Sequence, residues 1–211
     1  MVINMQAKKV GIMGGTFNPI HIGHLILAET ARTQYKLEKI LFIPSGQSYM
    51  KQGTKILPGL VRAEMTALAI EDNSFFSLSL MEIDRPGNTY TYATLETLKL
   101  ANPDTEYYFI LGADSLAALE NWKCPQRLFD SCTILAAIRD TQDELQIQER
   151  ISALSDKYGA RILPITCGQM DISSTRIREM VKNKQSVRYL VPDKVLQYLE
   201  DHDLYREASE F

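Results

Sequence analysis

In 211 residues the chain has only three cysteines, three histidines and one tryptophan, and it carries no excess of basic charge. Cys124, Cys132 and Cys167 are odd in number and far apart, which gives neither a disulfide framework nor a zinc knuckle. They are expected to serve as small apolar residues of a reducing compartment. With a net charge of −3 the chain lacks the basic surface that displaces counterions from nucleic acid, so nucleic acid is not an expected partner. A small anionic substrate remains open, because an acidic protein can carry a local positive patch. No run approaches the roughly 20 apolar residues of a membrane span, and the opening MVINMQAKKVGIMGG has no apolar stretch of signal-peptide length. A cytoplasmic protein without a membrane partner is expected. There is no repeat, low-complexity tract or linker, and the length suits one domain over residues 1–211 with a helical part from about 171.

Short β-branched or apolar runs alternate with amphipathic stretches. Lys9–Met13, Ile40–Pro44, Phe75–Leu80, Tyr107–Leu111, Thr133–Ile138 and Arg161–Ile165 read as strands. Helical patterns fall near residues 22–34, 58–71, 91–101, 113–120, 142–157, 174–183 and 192–200. In the first of these, Ile22, Leu25 and Ile26 are expected to form the apolar face, with Arg32 and Gln34 turned outward. The alternation implies an α/β fold: a doubly wound, Rossmann-like parallel sheet with helices on both faces. Ligands of such sheets sit at the carboxyl ends of the strands, near the switch in strand order. The segments that follow strands therefore matter most.

The first strand runs into Gly14-Gly15-Thr16-Phe17-Asn18-Pro19-Ile20-His21-Ile22-Gly23-His24. Adjacent glycines let the backbone come close to a ligand. Pro19 breaks the loop, and the following helix offers free N–H groups and a positive dipole end to an anion. His21 and His24 are three apart and share a helical face, from which each can donate an N–H to a phosphate oxygen. Local hydrogen bonding by the pair is the plainer alternative, and a metal site lacks a third His or Cys nearby. The loop is neither G-x-x-x-x-G-K-(S/T) nor G-x-G-x-x-G.

A second helix start follows Asp171-Ile172-Ser173-Ser174-Thr175-Arg176-Ile177-Arg178. Ser173 or Ser174 suits the N-cap. Capping does not explain the two arginines, since cations in a first turn oppose the helix dipole by roughly 0.3–1 kcal/mol each. A bound anion would reverse that sign.

GGTFNPIHIGH resembles the G-x-F-(D/N)-P-x-H-x-G-H signature of the nucleotidylyltransferase superfamily, and His21–His24 also spells the HIGH motif of class I aminoacyl-tRNA synthetases. ISSTRIR is similar to that family's I-S-x-T-x-I-R motif. The resemblance implies ATP binding by Gly14, Gly15, Thr16, Phe17 and Asn18 of the first segment, and by Ser173, Ser174, Thr175 and Arg178 of the second. It also implies catalytic contacts from His21, His24 and Arg176 to the ATP phosphates. Asn18 stands where bacterial members often carry Asp. The likeness spans nearly the whole chain, including Arg62 and Leu190-Val191-Pro192-Asp193.

Three middle segments resemble the bacterial nicotinate-nucleotide adenylyltransferase family. Lys51 occupies the place of a catalytic lysine that meets the acceptor phosphate, although Ser48-Tyr49-Met50 replaces the usual Pro-Pro-His before it. Gly87-Asn88-Thr89-Tyr90-Thr91 resembles G-x-(S/T)-Y-T, where Thr89, Tyr90 and Thr91 would bind the substrate and the helix start would hold a carboxylate. Gly112-Ala113-Asp114 followed by Trp122 implies a ribose contact from Asp114 and a ring stacked on the pyridine. The implied reaction is transfer of the adenylyl group of ATP to nicotinate mononucleotide, giving deamido-NAD and pyrophosphate in NAD biosynthesis, by direct in-line attack without a covalent intermediate. Mg²⁺ would ride on the ATP phosphates with few protein ligands of its own. The rivals are the same chemistry on nicotinamide mononucleotide, a pantetheine-phosphate sister enzyme and a non-catalytic nucleotide sensor. A homo-oligomer is compatible with the sequence, which does not set the oligomeric state.

Overall fold

The apolar runs become six parallel strands. They are β1 (Lys8–Gly15), β2 (Lys39–Pro44), β3 (Phe76–Leu78), β4 (Thr105–Leu111), β5 (Thr133–Ile138) and β6 (Ile162–Thr166). Their order is β3-β2-β1-β4-β5-β6, with every neighbour parallel. The computed structural model describes residues 7–46, 56–138, 144–168 and 171–206, without the side chains of residues 113, 114, 138 and 144–146. Among the described residues eight helices connect and cover the strands: α1 (Ile22–Tyr35), α2 (Gly59–Ile70), α3 (Thr91–Ala101), α4 (Ala113–Ala118), α5 (Pro125–Ser131), α6 (Glu144–Tyr158), α7 (Ser174–Lys182) and α8 (Asp193–Asp201). The expected α/β, Rossmann-like architecture is the observed one.

The two-residue period of the strands sorts the core into two layers. Met13, Tyr108 and Ile110 face one side, where they meet Ala28 and Ala31 of α1, Met65 of α2, Ile177 of α7 and Val195 of α8. Ile12, Phe109 and Leu111 face the other, against Leu95 of α3, Leu116 of α4, Leu128 of α5 and Leu154 of α6. Both faces of the sheet are thus covered, as an all-parallel sheet requires. The C-terminal helices share the layer of α1 and α2.

Some details differ from the sequence expectation. Ile26 is exposed, whereas Ala28 and Ala31 are fully buried. Their small side chains let α1 lie close on the sheet, and the buried stripe moves one turn along. Arg32 is not simply outward: it pairs with Glu29 at 2.6 Å and its guanidinium lies 4.0 Å from the centre of the Phe75 ring. Gln34, although exposed, ties α1 to β6 through Pro164 O (3.0 Å) and Thr166 N–H (3.1 Å). The edge strand β3 is three residues long, although Ser79 N–H still donates to Phe42 O. Helix α5 had no counterpart in the periodicity. Cys124 enters it at φ 52°, and Pro125 takes the first position, where its missing N–H costs nothing.

Ile177 is fully buried where α7 meets the sheet. Ile177→Ala is expected to cost about 2–5 kcal/mol, read as a lower urea midpoint of a single transition. A loss below about 1 kcal/mol would mean that α7 adds little to the main core.

Candidate active site

The strand order reverses between β1 and β4, because β2 and β3 lie on one side of β1 while β4, β5 and β6 lie on the other. Connections leaving the carboxyl ends of β1 and β4 part at that point and open a crevice. Two cavities occupy it, of about 430 and about 760 Å³, and they share Gly14, Gly15, Thr16, Phe109, Ser115 and Trp122. The glycine pair keeps this shared floor low. A Cβ at Gly15 would lie 2.8 Å from the Phe17 ring, and one at Gly14 would lie 3.1 Å from Phe109. Phe17 holds a left-handed φ of 48° while its ring is buried in the core beneath the floor.

The larger cavity is walled by the loop after β1 and by the starts of α1 and α7. His21 is the N-cap of α1, and its backbone N–H donates to His24 Nδ1 at 3.2 Å. That leaves the proton of a neutral His24 on Nε2. The two rings stack at 3.7 Å between centres, and the Phe17 ring meets His24 edge-on at 5.0 Å. His21 is buried, its Nδ1 has no hydrogen-bond partner, and burial lowers its pKa to about 4. It is therefore a neutral imidazole at neutral pH.

Across the cavity, Ser173 is the N-cap of α7 and its Oγ accepts from Arg176 N–H at 3.2 Å. Ser174 Oγ–H donates to Pro19 O at 2.7 Å, tying α7 to the first loop. Arg178 donates to Asn18 O (2.8 Å) and Thr175 Oγ1 (3.2 Å), and it lines the cavity with Ser173, Ser174 and Thr175. Arg176 is placed differently. It is exposed and donates to the Asp171 carboxylate (2.7 Å) and carbonyl (3.0 Å), outside the cavity wall. Of the two arginines, the structure brings only Arg178 into the wall.

The smaller cavity is built on the start of α3. Gly87, at φ 78°, makes the turn that Tyr90 and Thr91 follow, as N-cap and first residue of the helix. Thr89, Tyr90 and Thr91 all line the cavity. Thr89 is buried against Gly46, where an added Cβ would come 2.9 Å from the Thr89 methyl and 2.1 Å from Glu82 O. Trp122 stands between the two cavities with its ring edge-on to Phe109, 6.1 Å between centres. Lys51 lies outside the described residues, as does the side chain of Asp114, whose backbone is in the first turn of α4.

Sequence reading had missed Glu82, Thr94, Phe109 and Ser115, which also line these walls. Glu82 Oε1 accepts from Thr94 Oγ1–H at 2.7 Å, and Arg85 donates to that same hydroxyl at 3.3 Å. The alternation along β4 signalled an inward Phe109, but nothing in it pointed to a cavity. Among the described residues no group of three or more His, Cys, Asp or Glu is placed to hold a metal ion.

The cytidylyltransferase-like family model matches residues 12–180. A Lachnoclostridium phytofermentans protein named as a probable nicotinate-nucleotide adenylyltransferase is 47% identical, over 94% of this chain and 99% of its own. A protein of the same name from a Thermoanaerobacter species is 40% identical over 96% of each chain. The chain belongs to the nicotinate-nucleotide adenylyltransferases of the cytidylyltransferase-like family. The fold agrees: the solved Plasmodium falciparum nicotinic acid mononucleotide adenylyltransferase complexed with NaAD superposes with a TM-score of 0.74 at 20% identity, over 94% of this chain and 97% of that one.

The buried His21 makes stability depend on pH. Its folded pKa, about 4, lies below the ordinary histidine value of 6.5, so the unfolded chain takes up the proton first as pH falls. Stability from this group is full above the ordinary value, is lost as pH drops through the interval, and levels off below about 4. Between pH of about 7.5 and about 5 the loss should be roughly 2 kcal/mol. Urea unfolding at both pH values should show this loss in the native chain and a clearly smaller one in His21→Gln. Equal losses in both would show that the histidine is not the cause.

Proposed function

We propose that the chain transfers the adenylyl group of ATP to nicotinate mononucleotide in the cytoplasm, as one domain, with ATP in the larger cavity and the mononucleotide in the smaller. The observation that carries this reading is the shared floor of Gly14, Gly15 and Thr16, where groups held in the two cavities come together. A mononucleotide phosphate has its second pKa at about 6, so it is already largely ionised near neutral pH and needs no general base. One of its oxygens attacks the α-phosphorus of ATP in line. The bond from that phosphorus to the bridging oxygen of the β-phosphate breaks, and pyrophosphate carries away the electron pair. Deamido-NAD is the other product, and no group of the protein is modified on the way.

The protein's part is to position the reactants and to stabilise spreading negative charge. His21 and His24 would donate N–H bonds from neutral rings, and the α7 start with Ser173, Ser174, Thr175 and Arg178 would hold the outer phosphates. Arg176 would join them by leaving Asp171, an exposed ion pair that costs at most about 1 kcal/mol to break. Lys51 would meet the acceptor phosphate, and Asp114 its ribose. Among the described residues the wall offers imidazole, hydroxyl and backbone N–H groups rather than a carboxylate cage. This suits Mg²⁺ that arrives on the ATP phosphates and adds its charge there. At the other end Trp122 would lie on the pyridine ring, with the nicotinate carboxylate at the start of α3.

Pyrophosphate release with ATP and Mg²⁺ should be faster with nicotinate mononucleotide than with nicotinamide mononucleotide by about tenfold or more, because a neutral amide gains less from the charged contacts of a helix start. Comparable rates would remove the carboxylate site at Tyr90 and Thr91 while keeping the chemistry. No release with either acceptor, from protein that binds ATP, would leave the adenylyl-transfer scaffold with a different acceptor.

A further inference from the structure

The turn after α8 ends at a residue that no sequence motif singled out. Asp203 and Tyr205 both have left-handed backbones, at φ 48° and 62°, although neither is glycine. Such conformations cost a non-glycine residue free energy and persist where surrounding contacts over-determine them. Here the turn is closed by Asp203 N–H to Glu200 O (3.3 Å) and Leu204 N–H to Leu199 O (3.0 Å). Tyr205 packs against the same core layer as α1, α7 and α8. Its hydroxyl donates to Asn18 Oδ1 at 2.8 Å, across 187 residues of sequence. Burial raises its pKa well above the usual phenol value, so it remains a donor at any working pH.

Asn18 is the residue on which this contact acts. It is buried in the loop after β1 and lines the larger cavity. Its Oδ1 accepts from Leu57 N–H (3.3 Å) as well as from Tyr205, and its carbonyl accepts from Arg178 (2.8 Å). The amide oxygen has two lone pairs, and two donors from distant segments meet them, which fixes the orientation of the amide. His21 follows three residues later. We infer that Tyr205 is a positioning residue: through Asn18 it holds the loop after β1, and with it the entry to the histidine pair, in the shape that receives the nucleotide. This rests on the proposal that the larger cavity takes ATP.

Tyr205→Phe removes the hydroxyl and little else. ATP affinity should be measured by calorimetry for the native chain and the variant, together with KM for each substrate, kcat and Tm, all at a temperature well below both unfolding midpoints. The expected result is ATP affinity weakened about three- to tenfold, the size of one lost hydrogen bond, with KM for the acceptor at saturating ATP within about twofold. The effect should also shrink when Tyr205→Phe is made in an Asn18→Ala background, since the two side chains act as one unit. A lower Tm with unchanged ATP affinity would reduce Tyr205 to a structural role and overturn the inference. So would an equal effect in both backgrounds. Failure of the native chain itself to bind ATP would instead remove the reading of the cavity.

Discussion

A buried guanidinium joins the walls of the site. Arg62 is 2% exposed and donates to Thr16 O (2.6 Å), Ser45 O (2.7 Å) and Leu57 O (2.9 Å). These carbonyls belong to the turn after β1, the turn after β2 and the approach to α2, of which the first two are also joined by Ser45 N–H to Gly15 O (2.8 Å). Burial works against the charge and lowers the arginine pKa, yet a guanidinium stays protonated throughout the accessible range. Its planar fork carries five donors at fixed angles, which suits three carbonyls converging from different directions. Lysine, with three donors on one flexible ammonium, has no comparable geometry. The relative position of the two cavities depends on this bond set, because Thr16 belongs to their common floor and Ser45 to the wall of the smaller one.

On that frame the electrostatics of the cavities come largely from backbone. Helices α1, α3 and α7 all begin at cavity walls, and none has an acidic residue in its first turn. A carboxylate there would stabilise each helix by complementing its dipole. The positive helix ends are instead left for whatever enters the crevice. Helix α4, whose N-cap Gly112 also lines the larger cavity, is the exception and has Asp114 in its first turn. Three such uncompensated helix ends favour anions, as the proposed pair of phosphorylated substrates requires. Neutral histidines fit this picture, since a buried imidazolium would have to be desolvated before any anion arrived.

Much of this was legible in the sequence, and the unread parts have physical reasons. Six strands and seven helices followed from apolar period, because each has one face or both faces in a core layer. Helix α5 is too short for a period to emerge, and Ile26 misled because two alanines, not the larger residue, let α1 approach the sheet. Both helix starts of the larger cavity were marked by their glycines, histidines, serines and arginines. Which arginine faces the cavity was not marked: Arg176 and Arg178 are two apart and diverge on a helix, and only the position of Asp171 shows where the first one goes. Arg62 stood out by resemblance, but its role required knowing where Thr16, Ser45 and Leu57 meet. The pairing of Tyr205 with Asn18 left no local trace at all, since it depends on how the last turn folds back onto the first loop.

The glycine pair shows how closely floor and histidines are linked. A side chain at Gly14 would crowd Phe109, which lines both cavities, and so intrude on their common floor. Packing gives a second reason. A Cβ on Gly15 would press on the Phe17 ring at 2.8 Å, and that ring meets His24 edge-on at 5.0 Å. His24 in turn stacks on His21 and accepts its backbone N–H. Displacing Phe17 would therefore move the histidine pair, in a core where side chains are too tightly packed to absorb the shift. The open floor at residue 14 and the position of the two rings beside residue 15 are neighbouring constraints, and absence of a side chain meets each of them.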